Sequence, residues 1–285
     1  MNELYLDLAG IPVAVTAEEF GTLEFLENYI TAPAVPAHRF RAALVDALEP
    51  PAGELVCDQP ALRVYRDSDR LLIYQGPVQP DIGNAYMRSV LREGEGILEF
   101  VREKLLRGIT GKQLMAALEL PHLLTLHGGF LLHASYIEYA GKAILFTAPS
   151  ETGKSTQADL WCEHAGASLV NGDRAAVRVL DGAVYACGTP YSGSSPVRRN
   201  VKLPLGAIVC LSQAPENTIR RLRGVRAFRS VWEGCTLRTW DRADVELATK
   251  TVTEVITRVP VYHLACTPDV RAVELLKHTM EVESC

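Results

Sequence analysis

The residues Phe146 to Gln157 read FTAPSETGKSTQ, and within them Gly153, Lys154 and Ser155 have the types and spacing that hold phosphate. A phosphate-binding loop needs consecutive backbone N–H groups turned inward, a lysine reaching the β- and γ-phosphates, and a hydroxyl for Mg²⁺ at the start of a helix. Ala148 stands where the G-x-x-x-x-G-K-[ST] pattern has its first glycine. That position mainly helps the chain leave a strand, and alanine is its smallest replacement. Glu151 is the harder departure, because a carboxylate pointing at a bound triphosphate is repelled. In such loops the side chains generally face out, and Glu151 is expected outside the cradle. The expected nucleotide-binding set is Ala148, Pro149, Ser150, Glu151, Thr152, Gly153, Lys154, Ser155 and Thr156. The competing reading is a chance GKST in which Ser155 or Thr156 only caps a helix.

The flanking segments must position this loop. FLLHASYIEYAGKAILFTA reads as two strands joined by a tight turn at Ala140-Gly141, the second of them short and fully apolar. Beyond the loop, Ala158, Trp161, Cys162 and Ala165 recur at i, i+3, i+4 and i+7, which predicts a helix with one buried face. ASLV then reads as a buried strand. Strand, loop, helix and strand together predict a right-handed parallel βαβ unit, whose two strand C-termini emerge at one sheet edge. That edge brings Asn171-Gly172-Asp173 beside the loop.

A carboxylate there holds Mg²⁺, directly or through water, or accepts a proton from an attacking hydroxyl. Asp173 is therefore the candidate base and, with Ser155, the candidate metal ligand; the bland reading is a surface turn. His133, on the preceding strand, either orients Asp173, titrates with it, or is a hydrogen-bonded core histidine. Lys154 completes the candidate catalytic set. Ser192, Gly193 and Ser194 are candidate substrate contacts on a small-residue loop, Gly188 to Pro196, whose composition suits any loop. Arg220 to Arg229 packs five arginines into ten residues, either a local anion site or a solvated helix face. His122, His127 and His164 have no metal-ligand spacing.

Composition bounds the rest. With 285 residues, 48% of them apolar, the chain can bury one large core or two smaller ones. A formal net charge of -5 argues against binding nucleic acid or an acidic membrane through overall charge. Seven scattered cysteines without a CxxC pair suit reduced thiols and a cytoplasmic location. The segment MNELYLDLAG has no export-signal pattern, and no apolar stretch approaches membrane-spanning length. The first third alternates β-like runs with turns, among them a hairpin around Asp67-Ser68-Asp69. From Gly94 to about His127 the pattern is helical, with Ile97, Phe100, Val101 and Leu105 on one face and Leu114, Leu118, Leu123 and Leu124 on a second segment. Further on, a hairpin is expected around Asp181-Gly182, a buried strand at LGAIVCL, and then helix, strand and helix to the end. The expected organisation is a strand-rich α+β domain over residues 1–120 and an α/β domain over residues 121–285.

The ordered set LLHAS, GKAILFTAPSETGKST and HAGASLVNGD resembles the HPr kinase/phosphorylase family, and the likeness extends through GTPYSGSSP and PLGAIVCL to VPVYHLACTPD. It covers roughly residues 125 to 275 and looks nearer to the HPr-kinase-like branch than to the true HPr kinases. The resemblance implies a P-loop, phosphoenolpyruvate-carboxykinase-like core that phosphorylates a serine hydroxyl with ATP, or another nucleoside triphosphate, and Mg²⁺. By position it implies phosphate and metal contacts for Lys154 and Ser155, the acidic turn for Asp173, and a supporting role for His133. True members have two adjacent acids in that turn, whereas Gly172 precedes Asp173 here. The family's glycine- and asparagine-rich signature has no clear match, so neither phosphorylase activity nor HPr as acceptor is implied. Some HPr-kinase-like proteins accompany maturation of ribosomally made peptides, including lasso peptides, and phosphorylate a precursor serine. The expected partner is thus a peptide or small protein carrying the acceptor serine. The N-terminal domain suits either such a macromolecular partner or homo-oligomerisation. A nucleotide-sensing binding module and a kinase of a free alcohol such as serine are the competing expectations.

Overall fold

Short alternating segments separated by tight turns build the first unit, Met1–Leu120, around an eight-stranded sheet. Its strands are β1 (Asn2–Leu8), β2 (Ile11–Ala17), β3 (His38–Val45), β4 (Glu54–Gln59), β5 (Leu62–Asp67), β6 (Arg70–Gln75), β7 (Met87–Arg92) and β8 (Glu95–Val101). The turn between β1 and β2 places both Ala9 and Gly10 at positive φ, the geometry that suits the twist of a two-residue hairpin. The spatial order is β1-β2-β3-β8-β7-β6-β5-β4, with β3 parallel to both its neighbours and every other pairing antiparallel. The face bearing Val15, Phe40, Leu98, Ser89 and Ile73 is buried. Ser89 Oγ donates there to the Ala117 carbonyl of α1 (Gly111–Ala117), whose start is fixed by a capping box between Thr110 and Gln113. The computed structural model describes all residues except Glu93, Leu106, Ser194 and Cys285, and the side chain of Ser284.

The structure corrects one sequence expectation in this unit. Residues 95–101 form the central strand β8 rather than a helix, while Leu114, Leu118, Leu123 and Leu124 do fall in or beside helices. Leu98 and Phe100 alternate into the core while Ile97 stays half out, so the period is two. The helical spacing of Ile97, Phe100 and Val101 came from a strand whose end is buried on both faces.

The second unit, Pro121–Cys285, is mixed α/β. Its elements are α2 (Leu120–Leu126), β9 (Gly129–Tyr139), β10 (Lys142–Thr147), α3 (Lys154–Ala165), β11 (Ser168–Asn171), β12 (Arg174–Leu180), β13 (Ala183–Gly188), β14 (Lys202–Gln213), β15 (Thr218–Leu222), α4 (Gly224–Trp232), β16 (Cys235–Thr236), α5 (Arg242–Arg258), β17 (Val261–Cys266) and α6 (Val270–Ser284). Pairings run β10-β9-β12-β13-β14 and return from β14 to β10, so these strands close a ring, with β17 and β15 continuing beyond β14. Phe130, Leu132, Tyr136, Leu145 and Val177 pack together with Val231, Val252 and Val255 of α4 and α5. Ile144, Phe146, Val209 and Leu264 pack with Trp161 of α3 and Leu276 of α6. Asp244 of α5, 2 % exposed, accepts from His122 Nδ1 at 2.8 and 3.0 Å, which ties α2 to α5. No helix among the described residues is long and apolar enough to cross a membrane.

A second correction concerns the βαβ unit. β10 and β11 are not neighbours: both pair antiparallel with β9, one on each of its sides. They still run in the same direction, and their C-termini reach the same level of β9, since Thr147 pairs with Ala134 and Asn171 with Tyr136. The long strand β9 has room for β11 and β12 end to end along one edge, so the second strand docks on it rather than on β10.

Candidate functional site

The loop between β10 and α3 has the backbone that the sequence asks of it. Glu151 has φ 65° and Gly153 φ 112°, so the chain twice enters the left-handed region within three residues, a conformation that turns successive N–H groups to one side. Gly153 is the residue preceding the helix, and no side chain caps that end. Ser155 and Thr156 therefore lie inside the first turn, exposed, and the capping alternative does not describe them. A Cβ built on Gly153 meets nothing within 4 Å, so its glycine serves backbone conformation rather than close packing. The Glu151 side chain is exposed, and its carbonyl accepts from Gln213 Nε2 at 3.3 Å.

Lys154 is 7 % exposed and its Nζ donates to the carbonyls of Ala148 (3.0 Å) and Pro149 (3.1 Å), which folds the ammonium under the loop. Burial pushes the Lys154 ammonium below its usual range, and Asp173 pulls it back up. Glu151, Thr152 and Gly153 of the loop border, with Gln213, Cys266 and Thr267, a cleft of about 380 Å³.

Asp173 lies where β11 passes into β12. Its carbonyl accepts from Ala134 N at 3.0 Å, and its carboxylate has His133 Nδ1 at 3.4 Å and Arg174 Nε at 3.5 Å. Burial holds the His133 imidazole below its ordinary value; Lys154 pushes it further down, Asp173 raises it, and Arg174 lowers it again. His133 is thus neutral at neutral pH, beside an acid and within the field of the loop lysine. Its backbone is held too: His133 N donates to Gly234 O at 2.8 Å, and His133 O accepts from Thr147 Oγ1 at 2.9 Å.

The Gly188 to Pro196 loop comes to the same place. A Cβ on Gly193 would sit 3.4 Å from Asp173 Cβ and 3.6 Å from its Oδ1, so any side chain there would cover the carboxylate. Ser192 is half-buried in that loop, and Ser194 lies outside the described residues. A Cβ on Gly172 would lie 3.2 Å from Ser195 Cβ, a tight contact that any side chain at 172 would have to relieve. Arg221 and Arg229, from the arginine-rich run, are already paired with Glu283 and Glu233, and the run itself divides between β15 and α4.

Sequence reasoning gave Asn171 no part, yet it organises the turn. Buried, it accepts from the N–H groups of Asp173 (2.8 Å) and Arg174 (3.0 Å) and donates to the carbonyls of Thr189 (2.9 Å) and Tyr191 (2.6 Å). The signal was present, since asparagine two residues before an N–H acceptor-seeking turn is the Asx pattern. Arg174, whose guanidinium stacks 5.1 Å above Tyr191, and Gly234 had no local signal.

No family model matches the chain, and no curated protein does. Among solved structures it is similar to the Hpr(Ser) kinase/phosphatase from Coxiella burnetii at 11% identity, over 54% of this chain and 93% of that one, with a TM-score of 0.32. At that level the likeness carries no argument, and the site is read from this chain's own residues.

Proposed function

We propose that this protein is a nucleotide- and Mg²⁺-dependent kinase that transfers a phosphoryl group to a serine hydroxyl of a peptide or small protein. The observation that carries the reading is the convergence, at one level of β9, of the Lys154 loop with the Asp173–His133 pair. The residues fit the group they would hold. The uncapped start of α3 and the left-handed residues of the loop supply N–H donors for phosphate oxygens, and Lys154 supplies a cation. Ser155 and Asp173 supply one hydroxyl and one carboxylate for Mg²⁺, an ion that takes few protein ligands and completes its shell with water and phosphate. The bound nucleotide supplies the phosphoryl group, and the metal neutralises charge on its oxygens.

The protein's own contributions follow from the geometry. Lys154, freed from the Ala148 and Pro149 carbonyls, faces the phosphates with a charge-assisted contact. Asp173 accepts the proton of the serine hydroxyl as its oxygen bonds to phosphorus and the bond to the leaving diphosphate oxygen breaks. Neutral His133 and cationic Arg174, on either side of Asp173, fix the carboxylate's orientation. Gly193 leaves open the space beside Asp173 through which a peptide serine approaches. A flexible peptide end enters such a space more readily than a residue inside a folded helix.

The test offers the protein γ-labelled nucleotide with serine-containing peptides, HPr and free serine, and locates phosphate by mass spectrometry. Transfer to peptides that Asp173→Asn abolishes supports the reading; transfer to free serine or HPr with none to peptides overturns the peptide acceptor. The single acid favours a second reading, a nucleotide-sensing module with little catalysis, because one carboxylate is then left to serve both the proton and the metal. Nucleotide binding without label transfer to any acceptor would select it.

A further inference from the structure

A group of arginines converges on the open face of the first sheet, opposite the face that meets α1. Strand register aligns Ala14, Arg39, Glu95 and Arg92 in one row across β2, β3, β8 and β7, and Arg70 continues that row on β6. The adjacent row carries Thr16, Arg41, Ile97 and Val90. Together they line a cleft of about 390 Å³ holding four guanidinium groups and a single carboxylate, in a chain whose net charge is -5. Two of these arginines have only weak partners. Arg39 lies 3.6 Å from Glu3 and Arg92 3.7 Å from Asp69, both exposed pairs, which contribute little. Arg70 pairs with Asp67, and Arg41 has no ion pair among the described residues.

We propose that this cleft binds an acidic segment of a polypeptide and is the docking site for the kinase's peptide substrate, an inference that rests on the peptide-kinase reading. Guanidinium groups bind carboxylates bidentately, and the lattice of a sheet sets their separation. Adjacent strands are about 4.8 Å apart, so Arg39 and Arg70, three strands from each other, span roughly 14 Å, which an extended peptide covers in about four or five residues. Ile97, 44 % exposed, and Val90 beside the arginine row offer apolar contact to the alternate side chains of that peptide. A nucleotide fits poorly, because the strand N–H groups beneath the cleft are engaged in the sheet ladder and, among the described residues, all of its lining residues lie in strands. Nucleic acid fits poorly as well, because Glu95 interrupts the row and the chain is acidic overall.

The test is a fluorescence anisotropy titration of the full chain, without nucleotide, using a labelled peptide of alternating glutamate and isoleucine and its glutamine counterpart. The glutamate peptide is expected to bind at least about tenfold more tightly than the glutamine one, and to weaken as salt is raised. Arg41→Gln/Arg92→Gln should lower its affinity about tenfold while Lys154→Ala leaves it unchanged; Arg41→Gln alone serves if the double variant has a lowered melting temperature. Equal affinity for the two peptides, no loss in the arginine variants, or displacement of the peptide by inorganic phosphate at equal concentration would overturn the proposal. Intact peptide binding by a protein that transfers no phosphate would support docking while sinking the kinase reading.

Discussion

In the second unit the charged groups of interest stand on loops held by Asn171, Thr147 and Gly234, whereas in the first they project from one face of paired strands, Arg41 within its strand and Arg39, Arg70 and Arg92 at or near strand ends. The two placements suit different tasks. A strand-end loop can turn its N–H groups, a lysine and a carboxylate toward one point, which chemistry requires. A sheet face can only repeat side chains at fixed intervals, which suits contact with an extended partner. The first placement is intolerant of small displacements; the second spreads its contacts over several side chains, each of which carries part of the affinity.

That contrast can be broken most sharply at Asp173. Asp173→Asn should cut phosphotransfer by at least about 10²-fold, because proton acceptance is lost, with a melting temperature near wild type. Normal transfer by this variant, followed with γ-labelled nucleotide, would place the base elsewhere. Lys154→Ala comes next: losing a charge-assisted contact of about 1.5–3 kcal/mol should weaken nucleotide binding tenfold or more in titration calorimetry. Unchanged affinity would remove the loop from the site.

Gly234→Ala probes how tightly the strand ends are held. Its Cβ would lie 2.5 Å from Thr147 Oγ1 and 3.0 Å from Leu132 Cδ1, and overpacking of that kind costs about 1–3 kcal/mol in denaturant unfolding. Wild-type stability would show that the site tolerates movement and would weaken the contrast with the sheet face. The smallest effect expected is on pH dependence. Burial leads the causes that lower His127, His133 and His263 of the second unit below 6.5. The unfolded chain therefore takes up these protons more readily, so stability is full above about pH 6.5 and is lost as pH falls through the lower folded values. The melting temperature should decline by a few degrees between pH 7 and pH 5, and His263→Gln should flatten part of that slope. An unchanged slope would assign the decline to other groups.

Much of this organisation is legible locally. The turns at Ala140-Gly141, Ser68-Asp69 and Asp181-Gly182 all join paired strands, and α3 follows the loop where the spacing of Ala158, Trp161 and Ala165 predicts it. These features depend on the φ preferences and periodicity of neighbouring residues, so a short window contains their cause. The turn at Asn171-Gly172-Asp173 is equally local, although its sequence does not show that the Asn171 side chain is buried and holds it.

Other features belong to tertiary structure alone. Nothing near residues 95–101 tells that both edges of the segment are taken by β3 and β7, and that environment decides strand over helix. That β11 docks on β9 rather than β10 depends on the length of β9 and on which edges remain unpaired. The arginine row draws Arg39, Arg70 and Arg92 from three strands, and only the register of those strands sets them side by side. By itself the sequence determined the strand, loop and helix around Lys154 and the acid that follows. The pairing of distant strands decided what stands beside that acid, because hydrogen-bond register is a property of two segments and is written in neither one alone.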